Sequence, residues 1–168
     1  MTHTPKLIIL RGPSGAGKST VAKRLFEATE RDVALIEQDH YRQEVVNHPN
    51  GNGRKIRKEM FETDIRIALK HGYDVLVEGI LSPENYMSIF EGIWADHPDE
   101  NYMFYFDIPF EETVRRHGTR PKSQEFGADE MKEWYELGKR SHLEWEVIIP
   151  EHSSIEETVA SIQSATGL

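Results

Sequence analysis

The residues with the clearest chemical purpose form a short segment near the start of the chain. Positions 12–19 read Gly-Pro-Ser-Gly-Ala-Gly-Lys-Ser and satisfy the pattern G-x-x-x-x-G-K-S/T. The apolar run 7–10 precedes this segment, and a good helix start follows it, so both neighbours that the pattern requires are present. Glycines let backbone N–H groups point at one place, and a helix start adds partial positive charge. The segment therefore predicts a polyphosphate-binding loop.

The side chains at the end of this loop have predicted parts in binding. The Lys18 ammonium would reach the β- and γ-phosphates of a bound nucleotide, and the Ser19 hydroxyl would be a ligand of Mg²⁺. The alternative is a strand-to-helix turn that binds nothing. The predicted nucleotide-binding residues are consecutive: Gly12, Pro13, Ser14, Gly15, Ala16, Gly17, Lys18, Ser19 and Thr20.

Two carboxylates are predicted at the same end of the molecule as this loop. Asp39 follows an apolar run at 33–36, and ligands of open α/β folds bind at the carboxyl ends of strands. A carboxylate there can accept or orient the proton of an acceptor hydroxyl during phosphoryl transfer. The alternative for Asp39 is a helix N-cap. Glu78 ends the apolar run 75–77 and would lie near Mg²⁺ or the acceptor hydroxyl, with a surface carboxylate as the alternative.

Alternating strand and helix patterns along the chain would position these residues. Apolar runs predict strands at 7–10, 33–36, 75–77, 103–106 and 147–149. Apolar residues three and four apart predict helices at about 18–29, 58–71, 84–96, 110–118, 128–143 and 154–165. The alternation indicates an α/β fold with a parallel sheet. The turn-rich segment 47–53 predicts a loop.

Length and composition fit one domain over residues 1–168. Chains of about 100–200 residues organise around one core, and this chain has 168. Its net charge of −9 makes nucleic acid an unfavourable partner and argues against an anionic membrane. The chain has no Cys, which excludes disulfides and thiolate metal sites. We find no signal segment or spanning segment, and we expect a soluble, cytoplasmic protein without a membrane partner.

The loop near the start, the short chain and the absence of a second large domain resemble the P-loop kinases. Within that group the order of features is most similar to the branch of zeta-toxins, chloramphenicol phosphotransferases and polynucleotide kinases. The resemblance covers nearly the whole chain. It implies a three-layer α/β/α P-loop NTPase fold with strand order 2-3-1-4-5, and a γ-phosphoryl transfer from ATP to a hydroxyl.

The same resemblance assigns roles to individual residues. It makes Asp39 the base and Arg42 a contact to an acceptor phosphate, whereas a solvated surface charge is the alternative for Arg42. It also implies a lid at about 115–127 in which Arg116 and Arg120 contact the transferring phosphoryl group. The alternative for both arginines is a cationic patch at the end of a helix. We expect Trp134, at helical spacing with its neighbours, to belong to the core rather than to an acceptor pocket.

Sequence features favour a kinase over two other P-loop classes. The N-K-x-D and D-x-x-G motifs of GTPases are missing from their expected places, and residues 75–79 lack the Asp-Glu pair of mechanical ATPases. The leading hypothesis is an ATP- and Mg²⁺-dependent kinase whose acceptor is a nucleoside, sugar or antibiotic. One alternative is a polynucleotide 5′-hydroxyl kinase that uses Asp39, Arg42 and the basic run 54–58. The other is a nucleotide-gated ATP-binding regulatory module.

Overall fold

A five-stranded parallel sheet forms the centre of the fold. The computed structural model of the chain describes residues 4–46, 51–119 and 127–168. The strands lie in the order β2-β3-β1-β4-β5 and are β1 Leu7–Arg11, β2 Val33–Glu37, β3 Asp74–Gly79, β4 Asn101–Asp107 and β5 Val147–Pro150. This order confirms the predicted P-loop NTPase fold. Every predicted strand is present and is longer than its apolar run by one to three residues.

Helices follow the strands and cover both faces of the sheet. They are α1 Lys18–Ala28, α2 Gln38–His40, α3 Gly51–Lys70, α4 Pro83–Asp96, α5 Phe110–Gly118, α6 Ala128–Leu137 and α7 Ile155–Thr166, with a π-helical turn Tyr41–Val45 after α2. In the part of the chain that the structure describes, no helix has the length and apolar character needed to cross a membrane.

Two helices differ from their predicted bounds by more than one residue. Helix α3 begins at Gly51, so the prediction of a loop is wrong for residues 51–53, while residues 47–50 lie outside the described part. The residues before 58 continue the helix. Positions 54, 57, 58 and 61 are three and four apart, and their side chains accordingly line one cavity. Helix α6 ends at Leu137 instead of continuing to 143, because Gly138 follows it as the C-cap residue.

The central strand separates two apolar layers. Leu7 and Ile9 pack in the layer covered by α3 and α4, whereas Ile8 and Leu10 pack in the layer covered by α1 and α7. All four side chains are fully buried, as the continuous apolar run predicts for a strand covered on both faces. The carboxyl end of this strand, at Arg11, is thereby held in a fixed place beside Gly79 of β3.

Candidate active site

The phosphate-binding loop connects β1 to α1 and depends on glycine at particular positions. Gly15 has φ +81°, and a Cβ added there would lie 2.7 Å from the carbonyl oxygen of Thr113. Gly17 has φ +98° and immediately precedes α1. Both positions lie in the left-handed region that other residues rarely adopt. The loop can therefore approach α5 and turn into the helix only with glycine at these two places.

Lys18 and Ser19 begin α1, and their side chains contact the phosphate-binding loop and β3. The Lys18 Nζ donates a hydrogen bond to the carbonyl oxygen of Pro13 at 2.7 Å, which places the ammonium across the loop. The Ser19 Oγ donates to the Glu78 carboxylate at 3.1 Å. The structure thus brings together the three residues that the sequence predicts around the phosphates and the metal.

Glu78 is a buried carboxylate, with 5% of its surface exposed. Burial raises its pKa, the nearby Lys18 charge lowers it, and the Asp39 charge raises it. A cation beside Glu78 would favour the ionised form. The Glu78 carboxylate and the Ser19 hydroxyl are hard oxygen donors of the kind that Mg²⁺ prefers, so these residues fit the predicted ion. No cluster of three acidic or His residues that could hold a metal occurs among the described residues, and Mg²⁺ ordinarily keeps waters and substrate phosphates as its other ligands.

Asp39 lies at the carboxyl end of β2, beside Glu78. The strand register pairs Glu37 of β2 with Glu78 of β3, and Asp39 follows two residues later in α2. Asp39 lines a cavity together with Ser14, Lys18, Ser19 and Glu78, which we call the loop cavity. The N-cap residue of α2 is Glu37, so the alternative interpretation of Asp39 as a helix N-cap is wrong.

Arg42 and Trp134 border the same cavity. The Arg42 Nε lies 3.8 Å from the Asp39 carboxylate, and its guanidinium carbon lies 5.3 Å from the centroid of the Trp134 ring. Trp134 is half-buried in α6 and lines two cavities, so the expectation that it belongs to the core is wrong. His117 of α5 is buried and also lines the loop cavity. Sequence reasoning did not select His117, because it precedes a glycine at a helix end without a recognisable motif.

Gln38 has a positioning part that the sequence analysis missed. Its side-chain oxygen accepts hydrogen bonds from the backbone N–H groups of Ile80 at 2.9 Å and Leu81 at 3.4 Å. Leu81 has φ +46°, a strained conformation for a leucine. A Cβ added at Gly79 would lie 2.5 Å from the Gln38 side-chain oxygen, so glycine allows this close approach. Gln38 therefore holds the loop after β3 between the two cavities that Ile80 lines.

A buried ion pair connects the segments that carry the site. The guanidinium of Arg11 lies 2.5 Å from the Glu146 carboxylate, and both side chains are fully buried. Arg11 also donates to the carbonyl oxygen of Leu81 at 3.2 Å, and Glu146 accepts from the Ser141 N–H at 3.0 Å. The pair ties the end of β1, where the phosphate-binding loop starts, to the loop after β3 and to the segment after α6. An arginine that ends an otherwise apolar strand is a signal that could have indicated a buried charge at this position, although not its partner.

Arg116 lies on the other side of the phosphate-binding loop from Asp39. It lines a cavity of about 290 Å³, the β5 cavity, with Gly17, Thr20 and residues of β5 and α7. Its guanidinium donates to the carbonyl oxygens of Ala16 at 3.3 Å and Glu151 at 3.0 Å. Hydrogen bonds from Arg115 and Arg116 lower the pKa of Glu112 to about 2, which keeps that carboxylate charged. Arg120 and most of the predicted lid lie outside the described residues.

A further cavity, which we call the α3 cavity, opens beside the loop cavity. Its volume is about 220 Å³, and it shares Arg42, Ile80 and Trp134 with the loop cavity. Tyr86 of α4 forms part of its wall. Arg42 therefore lies where a molecule in the α3 cavity would approach Asp39. The predicted site residues consequently fall into two groups, with Arg116 and Thr20 on one side and Asp39 and Arg42 on the other.

Comparison with known proteins adds family information to this geometry. Residues 7–146 match the family model described as AAA domain, which is more than half of the chain. No curated protein matches the sequence.

Solved structures share the fold at low sequence identity. A sugar kinase from Janibacter sp. has a TM-score of 0.73 at 13% identity, over 95% of this chain and 93% of that chain. The APS kinase CysC of Mycobacterium tuberculosis, in complex with AMPPNP and APS, has a TM-score of 0.68 at 18% identity, over 98% and 99% of the two chains. A chain of the Pnkp1/Rnl/Hen1 RNA repair complex has a TM-score of 0.63 at 19% identity, over 82% of this chain and 45% of that chain.

Proposed function

The chain belongs to the AAA domain family, and from that premise we propose that it is a P-loop kinase that transfers the γ-phosphoryl group of ATP to a hydroxyl of a small acceptor. The observation that carries this proposal is the loop cavity. It unites the residues for phosphates and metal, Lys18, Ser19 and Glu78, with a carboxylate suited to deprotonate an acceptor, Asp39. A module that only binds nucleotide has no need of Asp39 or of an adjoining α3 cavity.

The nucleotide side is assigned from the phosphate-binding loop outward. The backbone of the loop would hold the phosphates, with the Lys18 ammonium close to the transferring group. The β5 cavity adjoins the outer side of the loop and has apolar walls from β4 and β5, which suit the nucleoside part of ATP. Arg116 would then contact the nucleotide at the side away from the acceptor.

Ser19 and Glu78 would hold Mg²⁺ at the junction of α1 and β3. Bound there, Mg²⁺ neutralises negative charge on the phosphates. The Ser19 to Glu78 hydrogen bond of 3.1 Å supports the metal side over the acceptor side for Glu78. Gln38 keeps the loop after Glu78 in place and is a positioning residue for both cavities.

The acceptor side supplies the base. Asp39 would take the proton of the acceptor hydroxyl as its oxygen bonds to the γ-phosphorus, while the bond to the β-phosphate oxygen breaks and ADP leaves. The shared border of the loop and α3 cavities would let a hydroxyl reach Asp39 from the α3 cavity. The sugar kinase and the APS kinase among similar structures support an acceptor that is a small molecule.

A polynucleotide 5′-hydroxyl kinase is the second candidate. The basic residues of α3 line the cavity next to Asp39, and a chain of an RNA repair complex shares the fold. The net charge of −9 opposes attraction of a polyanion over long range.

Incubation with γ-labelled ATP and a panel of acceptors tests the proposal. The panel contains nucleosides, sugars, hydroxyl-bearing antibiotics, their phosphorylated forms and a 5′-hydroxyl oligonucleotide. We expect label in at least one small acceptor, with Mg²⁺ required. Label only in the oligonucleotide would favour the second candidate. Label only in inorganic phosphate, at a rate that no acceptor changes, would contradict a kinase.

A further inference from the structure

We propose that the α3 cavity binds a phosphate or sulfate group of the acceptor, so that the molecule phosphorylated by this kinase is itself a small anion. The inference rests on the proposed function and names the acceptor class. The observation that supports it is a set of cationic side chains that line the α3 cavity, which adjoins the loop cavity of the proposed base, Asp39.

One face of α3 supplies three of these cations. Arg54, Arg57 and Lys58 are three and four residues apart, so their side chains share a face, and all three line the cavity. Arg42 adds a fourth cation from the other side. No Asp or Glu lines this cavity in the part of the chain that the structure describes, although the whole chain carries 29 acidic residues against 20 basic ones. The local charge of the cavity is therefore opposite to that of the chain.

Within the part of the chain that the structure describes, the α3 cations that line the cavity lack the carboxylate partner that their neighbour Lys55 has. Lys55 lies outside the cavity lining, and its Nζ is 3.8 Å from the Glu59 carboxylate. Neither Arg54 nor Arg57 has a carboxylate within ion-pair distance among the described residues. Lys58 donates to the neutral Asn85 side chain at 3.0 Å and lies 5.5 Å from the Tyr86 ring centroid. Arg42 already lies 3.8 Å from the Asp39 carboxylate, so the uncompensated charge is that of Arg54, Arg57 and Lys58, and an anion in the cavity would balance it.

Helix stability gives no reason for these charges. The amino end of a helix carries partial positive charge and favours acidic residues in its first turn. Helix α3 has none in its first turn and continues with basic residues instead. Planar guanidinium groups bind phosphate and sulfate oxygens through paired hydrogen bonds, so the arginines at this helix start suit an anion better than they suit the helix.

The dimensions and charges favour a small anion over a polymer. The cavity has a volume of about 220 Å³ and borders the loop cavity at Arg42, so one acceptor could place its anionic group against α3 and its hydroxyl near Asp39. A polyanion would also meet the field of a chain with a net charge of −9. A molecule with one phosphate or sulfate needs only the local cluster.

Binding to the full chain tests the inference without catalysis. The protein is first saturated with Mg²⁺ and a non-hydrolysable ATP analogue, so that the phosphate-binding loop is filled. Calorimetry then compares two matched pairs, adenosine 5′-monophosphate with adenosine and glucose 6-phosphate with glucose. We expect the phosphorylated member of at least one pair to bind about tenfold to a hundredfold more tightly, the range of one charge-assisted contact.

Variants connect that preference to the helix face. We expect the double variant Arg54→Gln, Arg57→Gln to lose the preference for the phosphorylated member. Its affinity for the ATP analogue should be unchanged. Lys55→Gln is the matched control, on the same turn and outside the cavity, and should keep the preference. Unchanged analogue affinity also establishes that each variant is folded.

Three binding results would overturn the inference. They are no preference for the phosphorylated member of either pair, a preference that survives in the Arg54→Gln, Arg57→Gln protein, and tighter binding of a 5′-hydroxyl oligonucleotide than of every small anion. Phosphoryl transfer to neutral acceptors alone would also refute it while leaving the kinase proposal intact. Failure of the kinase proposal would look different, as ATP label released to water whatever the acceptor.

Discussion

The phosphate-binding loop and the α3 cavity differ in the groups that they offer to a ligand. The loop uses consecutive residues and mainly backbone groups, and its shape depends on glycines at φ values such as +81° and +98°. The α3 cavity uses side chains from α3, α4, α6 and the turn after α2, which meet only in the folded chain. A backbone site of this kind suits the phosphates that every nucleotide shares, whereas a side-chain site can be adapted to one acceptor.

Loss of the loop's lysine is the largest expected effect. We predict that Lys18→Ala lowers phosphoryl transfer by about 10³-fold or more, because no other cation in α1 can replace charge stabilisation at the transferring group. Its thermal stability should change little, since the hydrogen bond of the ammonium at 2.7 Å goes to a carbonyl oxygen of the same loop. Lys23→Ala, an exposed lysine of the same helix, is the control. Steady-state transfer near the wild-type rate in Lys18→Ala would refute the assignment of the loop.

Substitution of the base should affect the acceptor half of the site. We predict that Asp39→Asn lowers kcat by about 10²-fold or more, the usual contribution of a general base, while ATP affinity is unchanged. Glu44→Gln, at an exposed carboxylate of the following turn that contacts His40 at 3.2 Å, should retain activity. Weaker ATP binding as the sole defect of Asp39→Asn would move this residue to the nucleotide side and remove the contrast between the two regions.

Sequence reasoning succeeded where residues close in the chain act together. Five strands, the strand order implied by the resemblance and the loop at 12–19 are all present. It failed where residues distant in sequence meet. The Arg11 and Glu146 ion pair joins positions 135 residues apart, and nothing in the local pattern of either residue identifies its partner. The expectation that Trp134 belongs to the core failed because helical spacing cannot distinguish a buried face from a cavity wall.

Arg116 can sharpen the comparison, because the sequence and the geometry indicate different roles. The sequence resemblance predicts contact with the transferring phosphoryl group, whereas the structure places Arg116 at the β5 cavity. From that position we predict that Arg116→Ala raises KM for ATP by about tenfold, the value of one charge-assisted hydrogen bond, with little change in kcat. Arg115→Ala is the control, because Arg115 binds the same Glu112 but is largely exposed. A lower kcat at unchanged KM would support the role predicted from the sequence.

Glu78 should show the smallest effect, and it concerns stability. Its pKa is raised by burial, so the stability associated with its protonated form is present at low pH and is lost as pH rises through the pKa of the folded state. In metal-free protein at pH 8 we therefore predict a higher Tm for Glu78→Gln than for wild type. The increase should be about 2–4 °C for each kcal/mol that the wild type loses by burying an ionised carboxylate. The Tm difference from wild type should shrink at acidic pH.

Thermal unfolding with a chelator measures this difference. Glu84→Gln, at an exposed carboxylate of α4, is the control and should leave Tm unchanged at both pH values. A lower Tm for Glu78→Gln at pH 8 would mean that the carboxylate stabilises the fold. Glu78 would then be a structural residue and not one kept for a metal at a cost in stability.

The fate of the γ-phosphoryl group tests the central claim most directly, namely that the two regions cooperate in transfer to an acceptor. Labelled ATP is supplied with the acceptor found in the panel, and the label is measured in the phosphorylated acceptor and in inorganic phosphate, for wild type and Asp39→Asn. We predict that wild type places most label in the acceptor and that Asp39→Asn lowers this product by about 10²-fold, while binding ATP normally. Label that goes to water in both proteins, at equal rates with and without the acceptor, would contradict the account.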